Sequence, residues 1–336
     1  MPRTLLTGAT GFVGANVARH LLAAGHEVVC VVRKPNLCVE GLAVQLVQAA
    51  LDDEEAMLRA MEGCTGVLHV AGIFDPGPGG REAMWALHVT ATEVLIRAAA
   101  RLGIARFVTC SSSVTVGFGP ISDPGDEDSP IDPDLIYGRS GSLRAYHDSK
   151  LESERITIAA GGVVVNPDFV LGAWDVKPTS GQLLLTAARR WVPVFPTGGK
   201  CFIDADDCAI GHIAALERGV AGRRYLLGNW NLSYRDFITM CARAAGRRPP
   251  VVPIPPSLLR AGGAFGSLLQ RVDAHRFAGL DGNVLAAMMQ PRYRTGARSW
   301  EELGVPRTPM EVTVEKTLRW FGDHGYLGRA RGSDPR

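Results

Sequence analysis

The stretch Thr4-Leu5-Leu6-Thr7-Gly8-Ala9-Thr10-Gly11-Phe12-Val13-Gly14 constrains this chain more than any other. A short apolar strand runs into Gly8. An amphipathic helix follows, with Phe12, Val13, Val17, Leu21 and Leu22 at spacings of three and four. Gly25-His26 ends that helix, and Val28 to Val32 forms a second apolar strand, which completes a βαβ unit. Glycines let the backbone approach a pyrophosphate, while the helix N-terminus offers free N–H groups and a partial positive charge. The spacing is Gly-x-x-Gly-x-x-Gly rather than Gly-x-Gly-x-x-Gly, and glycines also close turns that bind nothing. The flanking strand, helix and strand are what point to a dinucleotide.

The residues after the second strand refine that reading. A nicotinamide site without an extra phosphate usually places Asp or Glu there to hold the ribose hydroxyls. This chain has Arg33 and Lys34. Two cations suit a 2′-phosphate, which favours NADP over NAD; the alternative is a solvated basic strand end.

The alternation continues through the first half. Val44 to Val47, Gly66 to Val70, Arg106 to Thr109 and Gly162 to Val165 read as strands. Glu54 to Met61, Arg81 to Leu102 and Ala145 to Ala160 read as helices. Strands and helices alternating with short links mean an α/β fold, a Rossmann-type doubly wound parallel sheet with helices on both faces. The second half is broken by prolines and predicts helices near residues 181–190, 233–245, 257–272 and 309–321, with Ser233 and Asp236 as a helix start. These make a smaller, mostly helical C-terminal substrate lobe. The expected division is a dinucleotide-binding domain over 1–165 with a return segment at about 200–228, a lobe over 166–199 and 229–327, and a disordered tail over 328–336.

Bulk properties exclude several classes. The 336 residues hold one large or two modest domains, and 46% apolar with 21% charged content is ordinary for a globular protein. A formal charge of +2 provides no basic field for nucleic acid. Seven cysteines are scattered, odd in number and never in a Cys-x-x-Cys pair, which favours free thiols in a reducing, cytoplasmic setting over disulfides or a metal site. No run of eighteen apolar residues is present, and no signal peptide is expected ahead of a turn that begins at residue 7. The amphipathic stretch 257–272 reads as a lid helix or, alternatively, as a membrane-surface contact.

The chemistry is carried by Tyr146-His147-Asp148-Ser149-Lys150. Positions i and i+4 share a helix face, so the Tyr146 phenol and the Lys150 ammonium point at one space. A free phenol titrates near 10, and bringing it towards neutrality takes roughly 3–4 kcal/mol of preference for phenolate. The Lys150 ammonium and an oxidised nicotinamide are expected to supply that preference, which makes Tyr146 the proton donor or acceptor at the substrate oxygen. Ser111-Ser112-Ser113 ends a strand upstream, and Ser113, with Ser112 as the alternative, is the candidate to hydrogen-bond the same oxygen. Tyr137-Gly138-Arg139-Ser140-Gly141 begins like the catalytic motif but has Gly141 where the amine must stand, and reads as a loop.

Together these residues resemble the extended short-chain dehydrogenase/reductase superfamily over nearly the whole chain. The turn from Thr7 to Gly14 is similar to that family's cofactor turn, which implies Gly8, Thr10, Gly11, Phe12, Val13 and Gly14 as cofactor-binding positions. The resemblance also implies Asp52 near the adenine, Ala71 and Gly72 along the cofactor, Tyr146 and Lys150 at the nicotinamide ribose, and Asn166-Pro167 beside the nicotinamide amide. Val165-Asn166-Pro167, Trp174 to Thr179 and Gly325-Tyr326-Leu327 resemble the dihydroflavonol-reductase-like branch. Membership there implies NADPH-dependent reduction of a ketone or aldehyde, or the reverse. The family often has Asn where this chain has His88, which either replaces a proton-relay residue or packs between helices.

The leading expectation is a reductase for a hydrophobic small molecule, with Trp174, Leu183 to Leu185, Trp191, Phe195, Phe265, Leu268 and Leu269 as candidate pocket or core residues. A nucleotide-sugar epimerase or dehydratase is the second reading. Such an enzyme needs a diphosphate site, usually with Arg near the segment 198–204, where this chain offers Lys200. A non-catalytic NADP-sensing protein is the third, and the Tyr146/Lys150 pair argues against it. A homodimer through the helices 81–102 and 145–160 is expected from the resemblance.

Overall fold

Apolar runs that alternate between two buried faces build the central layer. Leu6, Leu68, Val28, Cys30 and Val32 face one core, while Leu5, Val67, Val29 and Val31 face the other. Burial on both faces is what a parallel sheet covered by helices demands. The computed structural model describes residues 1–255, 257, 258, 262, 266 and 282–327.

The strands are β1 (Arg3–Thr7), β2 (Glu27–Val32), β3 (Gln45–Gln48), β4 (Gly66–His69), β5 (Arg106–Cys110), β6 (Val163–Pro167), β7 (Phe169–Leu171), β8 (Val194–Phe195), β9 (Gly199–Asp204), β10 (Arg224–Leu227), β11 (Trp230–Ser233), β12 (Val252–Pro253) and β13 (Pro291–Arg292). The helices α1 (Phe12–Ala23), α2 (Glu54–Met61), α3 (Gly80–Trp85), α4 (Ala91–Arg101), α5 (Pro133–Tyr137), α6 (Ser142–Ala159), α7 (Gly181–Arg189), α8 (Ala205–Arg218) and α9 (Tyr234–Ala244) are followed by Gly282–Ala287, Ala297–Leu303 and Met310–Asp323.

Seven parallel strands form the main sheet in the order β10-β6-β5-β4-β1-β2-β3. The chain winds outward from β1 through β2 and β3, then returns to β4 and winds the other way. The reversal between β1 and β4 is the switch point where ligands of such sheets bind. α1 and α8 cover one face and α2, α4 and α6 the other.

The lobe contains more sheet than its proline-rich sequence predicts. β9 pairs antiparallel with β11, parallel with β13 at its start and parallel with β7 at its end. These strands are short and broken by Pro and Gly, so their periodicity is too weak to read. The chain rejoins the main sheet through α8 and β10. Asp204 caps α8 by accepting the Asp206 N–H at 2.8 Å, and Ser233 caps α9 by accepting that of Asp236 at 3.1 Å.

Two other expectations are corrected. The helix expected over 81–102 is split by a five-residue π segment, Ala86–Thr90. Tyr137 belongs to a short helix rather than a loop, because Asp132 accepts the Asp134 and Leu135 N–H groups and Pro133 follows it. The expected tail 328–336, most of the expected helix 257–272, and Phe265, Leu268 and Leu269 lie outside the described residues. No described helix is long and apolar enough to cross a membrane. All seven cysteines are buried and free.

Arg106, at the start of β5, fastens α8 to the sheet. Its guanidinium donates to the carbonyls of Leu216 (2.5 Å), Ala215 and Gly219 (both 3.3 Å) at the end of α8, of which Ala215 also accepts the Gly219 N–H at 3.0 Å. Arg106→Met is expected to cost about 1–3 kcal/mol of stability, the penalty for part-buried acceptors left without donors. Urea unfolding checks this; a midpoint equal to that of the parent would show that the clamp contributes nothing.

Candidate active site

The N-terminus of α6 follows Gly141, whose φ of 102° lies in a region that side chains with a Cβ rarely adopt. From there the helix carries Tyr146 and Lys150 on one face. Lys150 is buried, and its ammonium donates to the Cys110 carbonyl at the end of β5, 2.9 Å away. It also approaches Gly72, where a Cβ would stand 3.0 Å from Nζ and 3.4 Å from His88 Nε2. Tyr146 stands in the wall of a cavity of about 250 Å³, with Phe74 and His88 edge-on to its ring at 5.7 and 5.6 Å.

The electrostatics differ from the sequence expectation. Burial pushes the Tyr146 phenol up to about 12, opposed by a hydrogen bond from Ser112. Burial also lowers the Lys150 ammonium, with Glu154 acting against it. Lys150 therefore does not bring the phenol towards neutrality in the protein alone. Desolvation outweighs the neighbouring charge, and Tyr146 remains a protonated donor at neutral pH.

The two serines face different partners. Ser112 hydrogen-bonds Tyr146 and also accepts the Val114 N–H at 3.3 Å. Ser113 lines the same cavity, but its hydroxyl hydrogen-bonds Asp168. Asn166 points away from the cavity. Its amide donates to Ser112 O, Thr115 Oγ1 and Glu154 Oε1, at 3.1, 3.1 and 2.6 Å. Glu154 also accepts from Ser111 and Thr115, both at 2.5 Å, and pairs with Arg224 at 3.1 Å. This buried cluster stiffens the loop that displays Ser112.

His88 sits in the π segment with both ring nitrogens engaged. Nε2 accepts the Ile73 N–H at 3.1 Å, so the proton belongs on Nδ1, which donates to Ser149 Oγ at 2.9 Å. Ser149 in turn donates to the Tyr146 carbonyl at 3.0 Å. His88 thus braces α6 against the Gly72–Ile73 segment. Burial, then the Lys150 ammonium and the neighbouring His69 ring, push it down to about 2. His69 meets Thr7 Oγ1 at 2.8 Å, and Thr7 also accepts the Ala71 N–H at 3.1 Å.

Across the cavity, Lys200, which the sequence offers as an anion-binding residue, and Arg294, which it does not single out, gather around one carboxylate. The Asp168 side chain is fully buried between β6 and β7. It accepts from Lys200 Nζ at 2.8 Å and Arg294 Nη1 at 2.7 Å. Burial alone would raise this carboxyl, but the two cations hold it down at about 2. Arg294 also donates to the carbonyls of Val116 and Gly117. Arg292 donates from Nη2 to the Tyr137 hydroxyl at 2.7 Å, which passes its own proton to the Val114 carbonyl at 2.9 Å. Lys200, Arg292 and Tyr137 line the cavity with Tyr146. Those of the expected lobe aromatics and leucines that are described do not. Leu184 and Leu185 are core, Trp174 packs under Arg19 at 3.3 Å, and Trp191 is half exposed.

The first domain's end of the site fits a dinucleotide. α1 has no side-chain cap and no acidic residue in its first turn, which leaves N–H groups for a pyrophosphate. Gly11 is exposed, and a Cβ there would meet only Gly8 O, at 3.4 Å. Gly8 and Gly14 are internal requirements, since a Cβ would stand 2.6 Å from Ala71 N and 2.1 Å from Gly8 O respectively. Thr10, Phe12 and Val13 lie along the same turn and are partly exposed. Arg33 and Lys34 are exposed just beyond β2, where no acidic residue stands. Asp52 is exposed before α2, and the neighbouring Asp53 caps that helix. Pro167 ends β6 and is buried.

The comparisons with known proteins agree with this geometry. The profile of the NAD dependent epimerase/dehydratase family matches residues 4–228. The chain belongs to that family. It is an extended short-chain dehydrogenase/reductase, an NAD(P)-dependent oxidoreductase. A Synechocystis sp. protein provisionally named dihydroflavonol 4-reductase is 32% identical, over 96% of this chain and 95% of its own length. The sterol demethylase protein B of Methylococcus capsulatus is 28% identical over 96% and 99%. The solved structure of gox2253 superposes with a TM-score of 0.82 at 29% identity, covering 97% of this chain and 100% of that one.

The buried histidines give the fold a defined acid response. His69, His88 and His212 are held neutral by burial, at about 3, 2 and 4 against an ordinary 6.5. Unfolded, each binds a proton below 6.5 that the folded protein refuses, so stability is lost as pH falls through that value. The melting temperature is expected to be level above pH 6.5 and to drop steadily below it. A melting temperature that stays level down to the carboxylate range would show that these rings charge without cost.

Proposed function

We propose that the protein reduces a ketone or aldehyde on a largely hydrophobic small molecule with NADPH, Tyr146 donating the proton. The observation that carries this reading is Tyr146 itself, a phenol held protonated in a cavity wall beside Ser112 and one helical turn from Lys150. A bound nicotinamide supplies the hydride to the carbonyl carbon. The chain's own groups do the rest. Ser112 and Tyr146 hydrogen-bond the carbonyl oxygen, and as negative charge grows there the phenol proton moves to it, leaving phenolate. Lys150 would stabilise that phenolate and hold the ribose of a bound nicotinamide. Phe74, Val114 and Leu143 give the cavity its apolar wall. Ketoreductase and cinnamoyl-CoA reductase relatives, at 29% and 25% identity over 80% and 96% of the chain, support the reductive direction.

Arg33 and Lys34, exposed and without an acidic neighbour at the strand end, support NADPH over NADH. A homodimer through the faces of α4 and α6 is proposed on the same footing; Trp85 on α3 and Leu151 on α6 are exposed there.

The reading makes two predictions. Tyr146→Phe is expected to lower kcat/KM for carbonyl reduction by about 10²–10⁴-fold with NADPH binding retained. In the parent, kcat/KM stays level through neutrality and falls only as alkaline pH approaches the raised phenol value of about 12. Undiminished turnover by Tyr146→Phe would remove the phenol from the chemistry. Replacing Arg33 and Lys34 together by Ser is expected to weaken NADPH binding by roughly 10–100-fold and leave NADH binding as it was. Equal loss for both cofactors, read by fluorescence titration, would contradict a 2′-phosphate site.

A further inference from the structure

The wall of the cavity carries more positive charge than the described residues neutralise. Lys200 and Arg294 meet a single carboxylate, Asp168, and both of its oxygens are taken, one by Lys200 and one by Arg294. Arg294 is otherwise spent on backbone carbonyls. Arg292 is 7% exposed and has no carboxylate within 4 Å among the described residues. Its Nε is buried without a hydrogen-bond partner, and Nη2 meets only the neutral Tyr137 hydroxyl. The guanidinium rests over Phe118 and Tyr137, 4.8 and 5.4 Å from their ring centres. Supporting Tyr137 needs only a neutral donor, whereas burying a guanidinium without a counter-ion is costly.

We propose that the substrate carries, besides its carbonyl, an oxyanionic group that Arg292 and Lys200 hold in the cavity that presents Tyr146. The inference rests on reading that cavity as the site of reduction, and it names the substrate class as compact oxo acids or oxo phosphate monoesters. A planar guanidinium donates to two oxygens of such a group, and the ammonium of Lys200, with one donor on Asp168, has others to spare. The volume of about 250 Å³ suits a compact molecule. Reduction leaves the anion untouched: the carbonyl carbon gains a hydride and its oxygen a proton, so anion recognition fixes orientation without entering the chemistry.

The test compares three homologous series of aryl ketones: free carboxylic acids, their methyl esters, and phosphate monoesters of matched length. Turnover is read with NADPH, and affinity by calorimetry on the NADP-loaded protein. At least one anionic series is expected to exceed the esters by roughly 10–100-fold in both kcat/KM and affinity, as befits hydrogen bonds to a charged group. Which anionic series leads identifies the group. Arg292→Gln should bring the anion-to-ester ratio close to one and Arg292→Lys should keep part of it, with melting curves confirming that both variants fold. Esters equal to both anionic series, or a preference that survives in both Arg292→Gln and Lys200→Gln, overturns the proposal. Tyr146-dependent turnover of esters without anion preference overturns it and leaves the reductase reading intact. Anions that bind through Arg292 but are never reduced uphold the subsite and overturn the reductase reading. Binding of UDP-glucose with none of the three series would overturn both.

Discussion

The Asp168 carboxylate is the contact on which the geometry of the cavity depends. It follows β6 of the main sheet, yet its two cations come from β9 and from the residue pair after β13, both in the lobe. Arg294 then reaches back to the carbonyls of Val116 and Gly117, in the loop that begins with Ser112 and Ser113. One carboxylate thereby links the sheet that α6 packs on, the loop that carries Ser112 and Ser113, and the lobe sheet that carries Lys200 and Arg292. Removing either cation would still leave the other, whereas removing the carboxylate would strand two buried charges at a cost of about 3–5 kcal/mol.

On the opposite wall the controlling quantity is dryness. Tyr146 and Lys150 are close enough in sequence to share a helix face, and the simple expectation is that the amine acidifies the phenol. In the folded chain the amine is tied to the Cys110 carbonyl, and desolvation raises the phenol instead. The same dryness makes His88 and His69 neutral props rather than charged groups. A neutral His88 matters because an imidazolium there would stand beside the Lys150 ammonium. On the α6 side of the cavity the positive charge is thus carried by Lys150 and not by an imidazolium.

The main sheet was legible because its information is local. Each βα unit announces itself within about thirty residues by period and by a glycine turn. The Tyr146/Lys150 pair was legible for the same reason, since four residues on a helix fix a face. The π segment was not, because Ala86 to Thr90 carries no breaker; its irregularity comes from the tertiary contacts of His88 with Ile73 and Ser149. Of the cationic wall only Lys200 was legible. Arg294 meets Asp168 across 126 residues and Arg292 meets Tyr137 across 155, separations at which no spacing rule operates. Tyr137 itself was set aside as a false start of the catalytic motif. Gly141, which marks the motif as false, is the N-cap from which the true catalytic helix begins.

This division between local and distant information follows the division of labour in the site. Chemistry common to the family needs a phenol, an amine and a phosphate-binding turn, all held by short segments of the main sheet. Recognition of one substrate needs groups that can change without disturbing that sheet, and these come from the lobe. Arg292 is the clearest case. Its cost of burial is offset partly by two aromatic faces and a phenol, none of which cancels its charge. A guanidinium that lines the same cavity as Tyr146 and has no carboxylate partner among the described residues biases every molecule that enters it. It favours those that bring an oxyanion and penalises those that bring another cation, so selectivity is built in before any carbonyl reaches the phenol.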